Sequence, residues 1–362
     1  MTKLEKARQT INKVDKKMAE LFEERMEAVR LVAEYKKEQG LQVEDSSREA
    51  EIIAKNSEFI SNNELKSYYI NFLQSNMDIS KNFQHKLLEG MRVAFSGTHG
   101  AFANIAAKKV FPDAKAVSFP DFKAAYNSVV NGECDCVILP IENSYNGDVG
   151  QVMDLAFFGP LYINGIYDIG IVQNLLAVKG TTMDEVKSVI SHPQALGQCA
   201  EYIKKHNFET IEAVNTALAA KQVAEMGRHD IAAIASDEAA EEFGLKKLEA
   251  HINESNSNTT RFAVFSRAAK EPNQNDNHFI LLFTVTNEAG SLGKAISIIG
   301  ENGFNLKALK SRPTKELIWS YYFYAEGEGN INSENGKKML EGLKSKCSEI
   351  KVIGCFEKEI SL

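Results

Sequence analysis

The chain has 362 residues, 44% hydrophobic and 25% charged, with a net charge of −7. That length accommodates two or three domains with cores of their own, and the composition excludes wholesale disorder. A negative chain without a basic block argues against nucleic acid as the main partner, so an anionic substrate would need locally arranged arginines and lysines. The N-terminal MTKLEKARQT lacks the apolar core of a signal peptide, and no apolar run reaches membrane-spanning length. The five cysteines are scattered and read as structural thiols, with Cys134 and Cys136 expected on one side of a strand. A reduced, cytoplasmic protein is expected.

No proline precedes Pro112, and Gly40 and Gly90 are the only glycines in the first 90 residues, a texture suited to long helices. Leu4, Ala7, Ile11, Val14, Met18, Leu21, Ala28, Val32 and Tyr35 recur at helical spacing. They predict one helix over 3–38, roughly 50 Å long at ~1.5 Å per residue. A turn at Gly40 follows, then a shorter helix that Ser46 and Glu49 would open with capping-box spacing. A third helix is expected from about Glu64 to Leu88. Three such helices cannot bury the long stripe alone, so an intertwined dimer is expected. Arg25 stands where that stripe demands an apolar residue, and a buried arginine needs an anion. Lys36 falls within about 20° of the same face, whereas Arg8 points about 100° away and would serve another surface or a second protomer. Asn76, Ser80 and Gln84 continue the apolar stripe of the third helix. Snorkelling cations over a buried polar network would give the same pattern.

From Met91 the texture alternates between strand and helix. RVAFSG, AVSF, CDCVILPIEN, GIVQNLLAV, VKSVISH, DIAAIAS and TRFAVFS read as strands, with helices over 120–131, 194–206 and 215–227. AKEPNQNDN (269–277) reads as a linker. Beyond it lie strand 278–286, helix 290–302, strands 305–311 and 317–325, helix 333–346 and strand 349–356. This βαββαβ order is the ferredoxin-like pattern. GTHG (97–100) could present backbone amides to an anion, although a tight turn accounts for it equally. GTHG, PIENSYNG (140–147) and SHPQALGQC (191–199) are three polar strand ends expected to meet at one cleft, and NTTRF (258–262) sets two hydroxyls and a guanidinium at a strand entry, a set suited to a small anion. Open α/β sheets bind ligands at such ends.

KARQTINKVDKKMAELFEERMEAVRLVAEYKKEQ, DSSREAEI and ISKNFQ resemble the all-helical chorismate mutase domain over residues 1–88. By motif position the resemblance implies a chorismate site at Arg25, Lys36, Asp45, Arg48, Glu49, Ser80 and Gln84, with Arg8 from a partner protomer. The arginines would clamp two carboxylates, and Lys36 and Gln84 would stabilise charge on the breaking ether oxygen. The α/β motifs resemble prephenate dehydratase over 91–268, which implies two lobes of the periplasmic-binding type around one active site. Its positions fall on Glu142, Asn143, Ser191, His192, Gln198, Thr260, Arg261 and Phe262. There Arg261 would fix a prephenate carboxylate, Thr260 would assist loss of the ring hydroxyl, and Phe262 would form a wall. Ala101 and Ala103 depart from the family's usual Thr or Ser.

NEAGSLGKAISIIGENGFNLKALKSRP resembles an ACT regulatory domain over 277–356. The resemblance implies phenylalanine held between protomers by Gly290, Ser291 and Leu292 with Ser311, Arg312 and Pro313. Lys310 replaces the glutamate of that pattern. The expected protein is therefore multidomain: an all-α mutase domain (1–90), an α/β two-lobe dehydratase domain (91–268) and an α+β ACT domain (277–362). It would take chorismate to prephenate and prephenate to phenylpyruvate without metal or cofactor, under feedback by phenylalanine, as a homodimer or larger. A mutase fused to a prephenate dehydrogenase would need a GxGxxG fingerprint, which is absent. A non-catalytic aromatic-acid sensor fused to the mutase stays open.

Overall fold

The computed structural model describes residues 2–254, 258–314 and 321–362. It divides into two compact units, Met1–Arg92 and Val93–Leu362. Among the described residues no helix is long and apolar enough to cross a membrane.

The first unit consists of α1 (Lys3–Gln39), α2 (Ser46–Ser57) and α3 (Asn63–Glu89). Thr2 and Glu5 form a complete capping box at the start of α1, and Gly40 ends the helix in the left-handed region at φ 65°. The start of α2 differs from the expected Ser46–Glu49 box. Asp45 is the N-cap: its carboxylate accepts from Arg48 N at 3.0 Å and from Ser47 Oγ at 2.7 Å. A charged acceptor one residue earlier satisfies the first turn, so Ser46 is already helical. Both α1 and α2 pack on α3. Of the 37 residues of α1 only Ala33 is buried, and Leu4, Ile11, Val14, Met18, Leu21, Val32 and Tyr35 are all exposed. Within one chain the long stripe has no cover.

The strands of the remaining chain are β1 (Arg92–Ser96), β2 (Lys115–Phe119), β3 (Cys136–Asn143), β4 (Gly147–Asp148), β5 (Tyr162–Gly170), β6 (Asn174–Ala177), β7 (Ser188–Ser191) and β8 (Glu209–Glu212). There follow β9 (Ile231–Ala235), β10 (Lys246–Glu249), β11 (Thr259–Ser266), β12 (His278–Val285), β13 (Asn305–Pro313), β14 (Tyr321–Glu328), β15 (Cys347–Phe356) and β16 (Ile360–Ser361). One sheet runs β13-β14-β12-β15-β5-β11-β3-β1-β2, with β16 on β5 and β4 on β3. A second runs β10-β6-β9-β7-β8. The chain passes between the sheets twice, once from β5 to β6 and once from β10 to β11. The crossings bond to each other through Ile171 N to Asn258 O (2.8 Å) and Ile252 N to Gln173 O (2.9 Å). That crossing divides GIVQNLLAV, expected as one strand, between the end of β5 and β6. Cys134 precedes β3 rather than lying in it. The first residues of the expected strand 317–325 fall outside the described residues.

The βαββαβ order recurs as β12, helix Ser291–Glu301, β13, β14, helix Glu334–Lys344 and β15. Its sheet is covered on both faces, as the unbroken apolar run of β12 requires. Phe279, Leu281 and Phe283 pack with its own helices in one core. Ile280 and Leu282 join Tyr322, Tyr324, Val152 and Met153 in the core of the first lobe. Each such fully buried side chain contributes about 1.5–3 kcal/mol. Gly354 allows β15 to meet β5, because a Cβ there would lie 3.0 Å from Ile163 O. The module is therefore continuous with the dehydratase lobe rather than tethered by a free linker.

Candidate active sites

In the first unit Arg25 reaches from α1 to α3. Its guanidinium donates to Ser80 Oγ and, at 3.4 Å, to Asn76 O. Among the described residues no carboxylate pairs with it, and burial pulls its pKa below the ordinary arginine value. A half-buried guanidinium held by a hydroxyl and a carbonyl keeps its charge available to a carboxylate. Gln84 lies one turn beyond Ser80, buried, with Oε1 unbonded among the described residues. Lys36 Nζ donates to Val43 O at 2.7 Å, which folds the α1–α2 turn over that end. Glu49 pairs with Lys81 at 3.2 Å, whereas Arg48 pairs with Glu51 at the surface. Asp45 is occupied as the α2 cap, so a direct ligand role for its carboxylate competes with that bond. Arg8 is exposed on α1. It lies about 25 Å along the axis from Arg25, too far to share one ligand in the same helix.

In the second unit a cavity of about 580 Å³ opens between the two lobes. Three of the polar strand ends converge on it, bringing Asn143, His192, Gln198, Thr260 and Phe262 together with Ala101 and Ala103. Two of the GTHG amides are already taken: Gly97 N bonds Phe119 O, and Gly100 N bonds the Asn104 side chain. Asn143 Nδ2 donates to Thr260 Oγ1 at 2.9 Å. The orientation of that amide is set by its other end, where Oδ1 accepts from Tyr145 N and Asn146 N, both at 3.0 Å. His192 caps the short helix Pro193–Gln198, its Nδ1 accepting from Gln194 N, and burial holds the ring below its ordinary pKa. Ser191 is fully buried behind the cavity and donates to Ile234 O at 2.6 Å, so it supports the wall without lining it.

The structure corrects the expected carboxylate clamp. Successive side chains on a strand alternate in direction, so Thr260 and Phe262 face the cavity and Arg261 faces away. On that far face the register sets Arg261 opposite Glu142 on one side and Asp168 on the other. Arg261 meets Glu142 at 3.2 Å, Asp168 at 3.6 Å and Glu326 of β14 at 3.0 Å, and bonds Glu359 near the C-terminal strand. Burial works against its charge, but Glu326 and Glu359 outweigh it and raise the pKa above the ordinary value. Neither Arg261 nor Glu142 lines the cavity. Among its described lining residues there is no lysine or arginine, and the one acidic residue, Asp148, pairs across β3 with Glu142 and turns its carboxylate to Lys310.

The residues expected at an effector site divide in the same way. Ser311 and Pro313 are exposed on β13. Arg312 turns the opposite way and makes a bidentate pair with Asp154 at 2.8 and 3.1 Å, joined by Tyr322 OH at 2.8 Å. Gly150 makes room for that fork, since a Cβ there would lie 2.1 Å from the guanidinium. Lys310 also faces the dehydratase lobe, not an effector pocket, and pairs with Asp148 and Glu142. Gly290 holds φ 83° at the mouth of the helix carrying Leu292, and Ser291 Oγ lies 3.0 Å from Thr286 Oγ1. Sequence reading missed Asp148 and Asp154, which carry no motif of their own and gain meaning only from the strand opposite.

An all-helical unit with an unpaired internal arginine and a two-lobed unit with a polar interlobe cavity define a two-site enzyme of small anionic substrates. Residues 7–85 match the chorismate mutase type II family and residues 93–270 the prephenate dehydratase family. The chain is 31% identical over 368 residues to a bifunctional chorismate mutase/prephenate dehydratase of Buchnera aphidicola, covering 97% of this chain and 96% of that one. A prephenate dehydratase structure from Arthrobacter aurescens, in complex with L-Phe, is similar over 74% of this chain and 90% of its own, with 25% identity and a TM-score of 0.69. GqqA, a novel type of quorum quenching acylase, is similar over 75% and 98% with 27% identity and a TM-score of 0.69, so the fold alone does not decide the activity. The whole-chain match does: the chain belongs to the family of bifunctional chorismate mutase/prephenate dehydratases. It carries both activities and serves phenylalanine biosynthesis.

Replacing Arg261 with Met is expected to destabilise the second unit by about 3–5 kcal/mol, because several partly buried carboxylates would lose their shared cation. Chemical denaturation followed by circular dichroism measures this; an unaltered midpoint would mean that the cluster contributes nothing to folding.

Proposed function

We propose that the interlobe cavity is the prephenate dehydratase site and that Thr260 is its proton donor. The observation that carries this is the Asn143–Thr260 bond. Asn143 fills the acceptor side of Thr260 Oγ1, so the hydroxyl proton is left to point at a ligand. In prephenate the bond from ring carbon to carboxylate breaks, its electron pair enters the ring, and the ring C–O bond breaks as Thr260 protonates the departing hydroxyl; the Thr260 oxygen then takes a proton back from solvent, so the net step consumes one proton. Carbon dioxide, water and the aromatic product leave. Phe262 and Phe102 form apolar walls, and a neutral His192 with Gln198 borders the polar side. Thr260→Val removes the hydroxyl at nearly constant shape and should lower dehydratase turnover by roughly 10²–10⁴-fold while mutase activity persists. Phenylpyruvate absorbance after addition of prephenate is the readout, and turnover within a few-fold of wild type would remove Thr260 from the chemistry.

The mutase reading rests on Arg25, with Lys36 and Gln84 at the ether oxygen and with Arg48, Glu49 and Ser80 around the substrate. A second copy of the first unit would cover the exposed stripe of α1 and bring Arg8 to the partner's Arg25. Arg8→Ala and Arg25→Ala should each abolish most mutase activity. Hybrid dimers refolded from an equal mixture contain one intact site, so about a quarter of wild-type activity should return. No recovery on mixing would mean that the two arginines serve the same protomer.

The C-terminal βαββαβ module is read as an ACT effector domain, with phenylalanine taken by Gly290, Ser291 and Leu292 beside Ser311 and Pro313. Gly290 supports this reading, because its positive φ shapes the loop that opens the helix. Calorimetry should detect phenylalanine binding to the wild type and none to Gly290→Val, whose β-branched side chain strains that loop. Equal binding by the two proteins would place the effector elsewhere.

A further inference from the structure

We propose that the backbone amides opening two helices, Phe102–Val110 and Gly150–Phe158, are the seats of the two substrate carboxylates in the interlobe cavity. The inference rests on the reading of this cavity as the prephenate site.

Both helices begin at the cavity, with Ala101, Phe102, Ala103, Val149, Gly150 and Gln151 among its lining residues. The first amides of a helix point out of its end along the axis, so their aim follows from the backbone and not from a rotamer. Neither end is filled from within. Ala101 and Val149 stand at the cap positions without a hydrogen-bonding side chain, and neither first turn holds an acid. The amides of Phe102, Ala103, Gly150 and Gln151 meet no acceptor among the described residues. The helix Thr216–Met226 also starts at the cavity, but there Asn215 Oδ1 accepts from Leu218 N at 2.7 Å and fills the first turn. Each open end carries roughly half a unit of positive charge. Two such ends can meet a dianion where the described lining includes no lysine or arginine.

The side chains of the cavity point independently to a ligand that only accepts. Thr260 and Gln198 line it and are 9% and 8% exposed. Thr260 Oγ1 accepts from Asn143 at 2.9 Å, which turns its proton outward. Gln198 Oε1 accepts from Gln173 at 3.4 Å, and its Nε2 has no partner among the described residues. His192 Nδ1 accepts from Gln194 N at 3.2 Å, so the proton of the neutral ring sits on Nε2. In all three the acceptor is consumed within the protein and a donor remains. A buried donor stays costly until a ligand fills it, and a carboxylate is acceptor-only. Gln173 Oε1 is unpaired as well, but it is fully buried and offers a ligand no surface. Asp148, the acid of the lining, turns its carboxylate to Lys310 at 2.6 Å.

The test is steady-state dehydratase kinetics on the full-length protein, with mutase activity and thermal unfolding as controls. Ala101→Asp and Val149→Asp each place a carboxylate in a seat, where it takes the amides two or three residues on. Each should raise the KM for prephenate roughly ten- to a hundred-fold, with kcat changed less. The unfolding temperature should hold or rise, because the helix gains a cap. A merely damaged fold would not weaken binding and keep its stability. Ala101→Asn and Val149→Asn fill the same amides without charge and should raise KM about three- to ten-fold, which general repulsion of the substrate would not do. Asparagine is no larger than valine, so crowding does not mimic the effect at 149. Should an aspartate variant lose its fold, its asparagine counterpart carries the test. A KM that rises only with the aspartates, at one helix alone, or not at all, overturns the inference. A wild-type protein that does not turn over prephenate would instead overturn the assignment of the cavity.

Discussion

A β-strand can turn only alternate side chains to one face, and at Thr260–Arg261–Phe262 that constraint organises the whole second unit. Thr260 and Phe262 look into the interlobe cavity, while Arg261 looks into a nest of carboxylates drawn from β3, β5, β14 and the C-terminal residues. One guanidinium behind the strand thereby joins the dehydratase sheet to the module that follows it. It is too heavily paired to serve a ligand as well. A buried cation with several hydrogen-bonded acids specifies an arrangement more strongly than it stabilises one.

The C-terminal module inherits its position from the same logic. Even-numbered residues of β13 beyond its bulge, Lys310 and Arg312, point toward the dehydratase lobe, and Glu326, Tyr324 and Tyr322 stand opposite this part of β13 on β14. Tyr324 OH donates to Glu326, and Tyr322 OH and Arg312 both bond Asp154. Phe157 stacks on Tyr322 with ring centroids 4.1 Å apart. The helix beginning at Gly150 is thus held at its side by the module, while Asp148, Val149, Gly150 and Gln151 line the cavity at its start. β13 and the cavity-bordering residues are thus joined by side chains in direct contact.

The first unit shows the complementary situation. Its long helix leaves apolar residues exposed along most of its length, and its internal arginine has found only a hydroxyl and a carbonyl. Under the proposed reading a second copy would cover the stripe and a substrate carboxylate would meet the guanidinium. The second unit is self-sufficient in charge, and its cavity is poor in cations.

Much of this was legible in the sequence. Helical spacing marked α1 to within a residue, because a 3.6-residue period over such a length has few alternatives. The βαββαβ order was legible from apolar runs and turn residues, and the resemblance to prephenate dehydratase pointed to Asn143, His192, Gln198 and Thr260, which the fold brings to one cavity. What the sequence did not carry were directions and partners. The choice between clamp and brace for Arg261 depends on which side of β11 meets the cavity, and that depends on pairing with β3 and β5, far away in the chain. β5 itself was missed, its YINGIYDIG run broken by two glycines and an aspartate that weaken any periodic signal. Lys310 looked like a fault in an effector motif until β13 was seen to face β4. Local spacing determines which elements form and what they can present; only tertiary pairing decides which face is covered, and so which charges meet.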